Sequence, residues 1–412
     1  MTIDFSLPTE VADIRDRVVD FVADVVLPRE HEARGAQGPS EVLRLELQAE
    51  ARSRGLLSPA AGTAWGGLGL DLRGCAPVFE AAGYSPLGPL ALNCAAPDEG
   101  NMHLLEVVAT PEQQARFLAP LVRGETRSAF AMTEPAPGAG SDPSALLTTA
   151  RADGDTWVID GRKWFITGAD GAAFFICMAR NGGDGARNGG DGARNGGDEA
   201  RSPDDGATMF LVEASNPGVR VVRRIGSLDH SFAGGHCEVV FEDCVVGADA
   251  VLGEVGKGFE YAQVRLNPAR MTHCMRWLGA ARRAHDTALG YVSERELFGQ
   301  RLGSLGLAQQ HLADNEIDIA ATRALTWQAA WLLDQGQSAN MEVGIAKVFA
   351  AEAIFRVVDR SVQLCGAYGV SDDSPLGWLF REVRPFRIYD GASEVHRQSI
   401  ARRAVHRRPT PA

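Results

Sequence analysis

Near the start of the chain, apolar Val11, Ile14, Val18, Val22 and Val25 recur at spacings of three and four, which lays one apolar stripe along a helix. Thr9, following Pro8, is the expected N-cap and Pro28 the expected stop. A second helix is expected over 41–54, ending near Gly55, and a third over 110–122, opened by the capping pattern Thr110-Pro111-Glu112-Gln113. The stretch between them, 56–100, is rich in Gly, Pro and Ala and defines no clear element. The pattern then changes. Segments 174–178, 209–212, 219–222 and 238–241 are short, β-branched or aromatic, and bounded by turn residues, as in a compact antiparallel β-domain. Thr156–Ile159, Asp160-Gly161 and Lys163–Gly168 predict a hairpin, because Asp-Gly readily supplies the positive φ of a tight turn. Beyond that come long helical patterns over 271–293, 311–334 and 341–365, the makings of an antiparallel bundle. The expected class is α+β: a helical domain at 1–128, a β-domain at 129–246 and a helical bundle at 247–412.

One stretch fits neither period. Ala179-Arg180-Asn181-Gly182-Gly183-Asp184-Gly185 recurs letter for letter at 186–192, and again at 193–199 with Glu199 as the sole change. A calcium-binding glycine-aspartate repeat would have a period of nine and apolar residues to build its core. The segment 179–206 therefore reads as a low-complexity, solvated loop expanded by duplication.

Composition narrows the possible functions without naming one. A hydrophobic fraction of 45% and a charged fraction of 23% over 412 residues suit an ordinary globular chain of two or three domains. A net charge of −12 argues against nucleic acid as the main partner. The apolar runs are interrupted by charge and fall short of the ~20 residues a bilayer requires, so no membrane partner is expected. The first residues carry acids and no basic segment, so neither a secretory nor a transit signal is expected. The seven cysteines are scattered, which suggests reduced thiols in a cytoplasmic compartment. His236-Cys237 and His273-Cys274 place potential ligands side by side, but neighbouring side chains diverge and no metal site is expected. Arg402, Arg403, Arg407 and Arg408 read as a solvated basic end, and Trp327 with Trp331 as core or subunit contact.

Chemistry enters with two motifs. Phe130-Ala131-Met132-Thr133-Glu134-Pro135 runs into a loop of Pro and Gly that ends in Ser141-Asp142, a form that brings backbone N–H groups close to an anion. Soon after comes Lys163-Trp164-Phe165-Ile166-Thr167-Gly168. Together they resemble the flavin-binding middle domain of the acyl-CoA dehydrogenase family, although the loop is two residues longer than the commonest form. The order helix, β-domain, bundle resembles that family along nearly the whole chain. The resemblance implies FAD as cofactor, with Met132, Thr133, Ser141, Trp164 and Thr167 against the flavin or its phosphates. It also places Gln363 and Gly366 at the FAD diphosphate. Ser293-Glu294-Arg295-Glu296-Leu297-Phe298-Gly299 is similar to the segment whose Arg295 and Phe298 reach a neighbouring subunit's FAD, which implies a homodimer or homotetramer. Ala392 stands where the family usually has Thr, and Gly306 where a Gln often follows.

Dehydrogenating a thioester requires a base for the α-proton, a hydride acceptor and donors to the carbonyl oxygen. The family places its base in a turn that here reads Ile388-Tyr389-Asp390-Gly391-Ala392-Ser393-Glu394-Val395-His396, which resembles a branch ending in Asp-Gly-x-x-Glu-Val-His. The base is then Asp390, with Arg270, Asn267 and Gly391 toward the acyl-CoA. The alternative base position, before Arg270, holds Ala269. The resemblance further implies that electrons pass to an electron-transfer flavoprotein. The same fold hosts oxidases, including nitroalkane oxidase with an Asp base, and flavin monooxygenases. A catalytically silent acyl-CoA or flavin binder is a third reading.

Overall fold

The computed structural model describes residues 5–35, 37–182 and 206–406, so the repeat beyond Gly182 lies outside the described residues. The chain divides into a helical unit, 1–95 with 227–231 and 266–412, and a β unit, 96–226 with 232–265.

In the helical unit, α1 (Thr9–Phe21) buries Val11, Ile14, Val18 and Phe21, as its stripe predicts. Thr9 is the first helical residue and not the cap; Pro8 holds that place without a side-chain bond. Nor does Pro28 stop the chain. It sits in the first turn of a 3-10 segment, Leu27–Glu32, where a missing N–H forfeits no internal bond. The second helix, α2 (Glu41–Ser53), is capped by Ser40, whose hydroxyl accepts from Leu43 N at 3.1 Å. Two helices occupy the stretch without a readable pattern, α3 (Leu72–Ala82) and α4 (Gly88–Ala91). Every residue of α3 from Gly74 to Ala82 is buried, and the Gly74 and Pro77 within it are helix-disfavouring residues that mask it in the sequence.

The β unit begins with α5 (Asp98–Val108), α6 (Pro111–Gln113) and α7 (Ala119–Val122). The capping box at Thr110 and Gln113 forms, but a π turn at Gln114–Leu118 interrupts the single helix expected there. Eight strands follow among the described residues: β1 (Ser128–Ala131), β2 (Thr149–Asp153), β3 (Thr156–Thr167), β4 (Phe174–Asn181), β5 (Ala207–Glu213), β6 (Val219–Ile225), β7 (His236–Gly247) and β8 (Val251–Leu252). Their order is β6-β7-β3-β2-β4-β5-β8, with β1 on β4. The pairing is antiparallel except for β1 and β2 on β4, which are parallel. Ala179–Asn181, expected within the insert, are the last residues of β4.

The expected hairpin at Asp160-Gly161 does not form. β3 runs straight through as twelve residues, with a register shift against β7 between Ile159 and Gly161. Gly161 is there for room: a Cβ on it would lie 2.3 Å from the Thr148 hydroxyl. The edge strand β6 carries exposed Arg220, Arg223 and Arg224, charges that discourage further pairing.

Beneath the first motif is a buried ion pair. Glu134 and Lys163 are 2.9 Å apart, with side chains 2% and 0% exposed. The carboxylate also accepts from the backbone N–H groups of Ala139 (3.2 Å), Leu147 (2.7 Å) and Thr148 (2.8 Å) and from the Thr148 hydroxyl. Lys163 Nζ donates to the carbonyls of Met132 (3.1 Å) and Met178 (2.8 Å). Burial alone would raise Glu134, yet the Lys163 charge and these donors hold it below the usual carboxylate range. The Pro/Gly loop is thus folded around a side chain of its own motif.

The helical unit resumes with α8 (Gly258–Glu294), whose first residues to Arg265 group with the β unit. A small hairpin, β9 (Glu296–Leu297) with β10 (Gln300–Arg301), leads to α9 (Gly306–Asp334) and α10 (Asn340–Cys365). The chain ends in α11 (Ala367–Val370), α12 (Leu376–Val383) and α13 (Ser393–His406). Backbones of α3 and α8 meet at two glycines. A Cβ on Gly83 would lie 1.8 Å from Arg276 O, and one on Gly279 would lie 2.1 Å from Glu80 O.

Replacing Lys163 by Met would strand the Glu134 charge in the interior, a loss of about 3–5 kcal/mol for a buried pair. Denaturant unfolding of Lys163→Met is expected to show that loss, with weaker retention of any bound flavin than in the wild type.

Candidate functional site

The residues singled out by sequence fall into two groups, one in each unit. In the β unit the two motifs are joined directly: Trp164 N donates to Thr133 O at 3.0 Å, and the Thr133 hydroxyl to Trp164 O at 2.7 Å. Met132 precedes them with its carbonyl on Lys163. Trp164 is half-buried and meets Phe165 edge to face, the ring centroids 4.9 Å apart. Phe165 takes the left-handed φ of +52°. The Thr167 hydroxyl lies 3.0 Å from His236 Nδ1. Ser141 is exposed at the end of the loop, after Gly140, whose Cβ position faces open space. Hydroxyls at Thr133, Thr167 and Ser141, an open glycine backbone and a half-exposed indole form a donor set that suits a flavin with its phosphates.

The helical unit holds the second group. Asp390 adopts φ of +52° and Gly391 of +95°. The glycine is obligatory, since a Cβ on it would lie 2.5 Å from His396 Nε2. The Asp390 carbonyl accepts from Arg270 Nε at 2.9 Å and from His396 Nε2 at 3.1 Å. Arg270 in turn donates to Asn267 Oδ1 at 2.7 Å, so the three residues expected near acyl-CoA, Arg270, Asn267 and Gly391, meet around Asp390. Lys347 on α10 donates to the carbonyls of Gly391 and Phe386, each at 2.8 Å. Burial pulls Lys347 down to about 8, against the Asp390 charge. The Asp390 carboxylate is 18% exposed, and its Oδ2 lies 3.0 Å from His273 Nε2. Sequence reasoning named Asp390 but missed His273 and Lys347. Lys347 could have been noticed as the one cation on the apolar face of α10 formed by Val343, Ala350 and Ile354.

Other expected residues lie apart from this turn. Phe298 is 92% exposed at the tip of the β9–β10 hairpin, with φ of +54° and Arg295 at its base. Gln363 and Gly366 are exposed at the end of α10, where Gly366 takes φ of +57°.

Burial holds His396 down at about 4, from an ordinary value of 6.5. Between those values the unfolded chain takes up a proton that the folded chain does not, so this group makes stability fall as pH drops through that window. Denaturant titrations across it are expected to show a shallower loss in His396→Gln than in the wild type.

Known proteins resemble this chain along nearly its whole length. Family models for the N-terminal, middle and C-terminal domains of acyl-CoA dehydrogenase match residues 8–125, 129–244 and 256–405. The chain is 38% identical to FadE2 of Mycobacterium tuberculosis, named a probable acyl-CoA dehydrogenase, over 98% of this chain and 97% of that one. It is 35% identical to acyl-CoA dehydrogenase family member 11 of Gallus gallus over 79% of its own length, but spans only 40% of that longer relative. In structure it resembles butyryl-CoA dehydrogenase of Megasphaera elsdenii with a TM-score of 0.84 and 27% identity, over 98% of this chain and 100% of the other. With all three domain models matched in order and FadE2 alike along almost its whole length, the chain belongs to the acyl-CoA dehydrogenase family.

Proposed function

We propose that this chain oxidises an acyl-CoA thioester to the 2-enoyl-CoA, with Asp390 removing the α-proton. The observation that carries the reading is the Asp390 turn: a carboxylate in a left-handed turn, its carbonyl gripped by Arg270 and His396 and one oxygen beside His273. A base held from several sides loses little orientation in reaching the reactive geometry, which offsets the shorter reach of Asp relative to Glu. FAD, when bound, supplies the hydride acceptor for the β-carbon. Thr133, Ser141, Trp164 and Thr167 would hold its ring and phosphates, and Gln363 and Gly366 would serve a diphosphate. Arg270 and Asn267 present cation and amide beside the base, on the side of the thioester. Burial lowers Arg270, while the Asp390 charge favours its cationic form.

Electrons leave for an electron-transfer flavoprotein, the acceptor used by the family. Arg295 and the exposed Phe298 serve a second copy's cofactor, in a homodimer or homotetramer. Among the described residues no helix is long and apolar enough to cross a membrane.

An anaerobic visible-spectrum titration of the flavin-loaded protein with straight, branched and cyclic acyl-CoA thioesters tests the reading. Bleaching by at least one thioester is expected, followed by slow reoxidation in air. A flavin untouched by every thioester contradicts dehydrogenation, and rapid reoxidation by O₂ points to an oxidase.

A further inference from the structure

Resting on the dehydrogenase reading, we propose that His273 is a positioning residue for the base: its Nε2–H holds one oxygen of Asp390, and Arg276 fixes the imidazole tautomer that makes this possible. The backbone of Asp390 is already pinned through its carbonyl by Arg270 and His396, so what remains loose is the short side chain. His273 Nε2 lies 3.0 Å from Oδ2 without the alignment of a hydrogen bond; a small turn of the carboxylate on substrate binding completes the bond and removes that freedom.

The direction of the bond follows from the other ring nitrogen. Arg276 Nη2 lies 3.1 Å from His273 Nδ1, and a guanidinium has only donors to offer. Nδ1 must therefore accept, which leaves the proton of the neutral ring on Nε2, facing the carboxylate. Arg276 is itself anchored, donating through Nη1 to Cys94 O at 2.7 Å, and its backbone is locked against Gly83. The imidazole is 5% exposed, with Tyr389 at 4.9 Å and Phe386 at 6.0 Å between ring centroids. The Tyr389 hydroxyl accepts from Trp277 Nε1, so the ring's neighbour is fixed as well.

This arrangement rules out the reverse assignment, in which His273 takes the proton and Asp390 merely orients it. Nδ1 already accepts from Arg276 and the neutral ring carries its proton on Nε2, so a further proton would break the Arg276 bond and place a third cation beside two guanidiniums. The charged and titratable groups around the pair all bear on its charge. They are Arg270 and Arg276 from α8, Lys347 from α10, His396 from α13, and Tyr389 in the turn, itself under the influence of Asp229. A neutral donor on Oδ2 favours the ionised form of Asp390. It therefore keeps the base ready at lower pH while leaving its orientation fixed.

Two measurements test this. In ¹⁵N-histidine NMR of the whole flavin-loaded protein, the His273 signals, assigned by their loss in His273→Gln, should show a neutral Nε2–H ring from about pH 6 to about pH 8. An imidazolium, or a proton on Nδ1, overturns the proposal. Second, the flavin reduction rate is followed against pH with butyryl-CoA, or with the thioester that bleaches the wild type fastest. His273→Leu should be slowed about tenfold or more, with its acidic limb moved up by about one pH unit and thioester affinity little changed. His273→Gln, whose amide can donate the same bond, should recover most of the rate. A His273→Leu profile that matches the wild type overturns the positioning role. If His273→Leu does not fold, a His273→Gln rate of flavin reduction as low as that of Asp390→Asn does the same. Should no thioester reduce the wild-type flavin, it is the dehydrogenase reading that fails, and the NMR result alone decides the His273–Asp390 geometry.

Discussion

Helices from three places in the sequence are tied to one two-residue turn. Arg270 and His273 reach Asp390 from α8, Lys347 reaches Gly391 from α10, and His396 reaches the Asp390 carbonyl from α13. The turn itself is strained, a non-glycine residue at φ of +52° followed by a glycine that His396 leaves no room to replace. Strain of this kind persists only where the surroundings over-determine it. Here the surroundings are the bundle, and what they hold is Asp390, the base of the proposed reaction. Long helices and their packing therefore serve a purpose that their apolar stripes do not disclose.

The β unit solves a similar problem with a different device. A loop of Pro and Gly has few side chains with which to fix itself, and Glu134 does it from inside. Its carboxylate gathers N–H donors from both ends of the loop and is neutralised by Lys163 from β3. Because Lys163 immediately precedes Trp164, the same strand that closes the ion pair also sets the indole and, through Thr133, the register of the two motifs. In both units a buried charged side chain, Glu134 with Lys163 in one and Lys347 in the other, fixes the backbone of a loop or turn.

The sequence made the motifs legible because their chemistry is local: Thr133, Trp164 and Asp390 lie in runs whose residue types and order carry meaning by themselves. The long helices were legible from their period. What was hidden depended on partners distant in the chain. His273 read as a weak ligand beside Cys274, because nothing local indicates that Asp390, over a hundred residues later, would lie 3.0 Å away. Asp160-Gly161 misled in the opposite direction. The dipeptide suits a turn, but Gly161 is needed because Thr148 passes close by, and β3 continues through it. Segment 56–100 concealed α3 since Gly74 and Pro77 lie within the helix and read locally as loop residues. The heptapeptide repeat, so prominent in the sequence, lies largely outside the described residues.

The central claim is that Asp390 removes the α-proton, and exchange of that proton tests it without requiring turnover. Flavin-loaded wild type and Asp390→Asn would each be incubated with a thioester in D₂O, and deuterium at the α-carbon followed by mass spectrometry. The account predicts exchange in the wild type and its loss in Asp390→Asn, with flavin content unchanged. Exchange at the wild-type rate in Asp390→Asn would contradict it and move the base elsewhere.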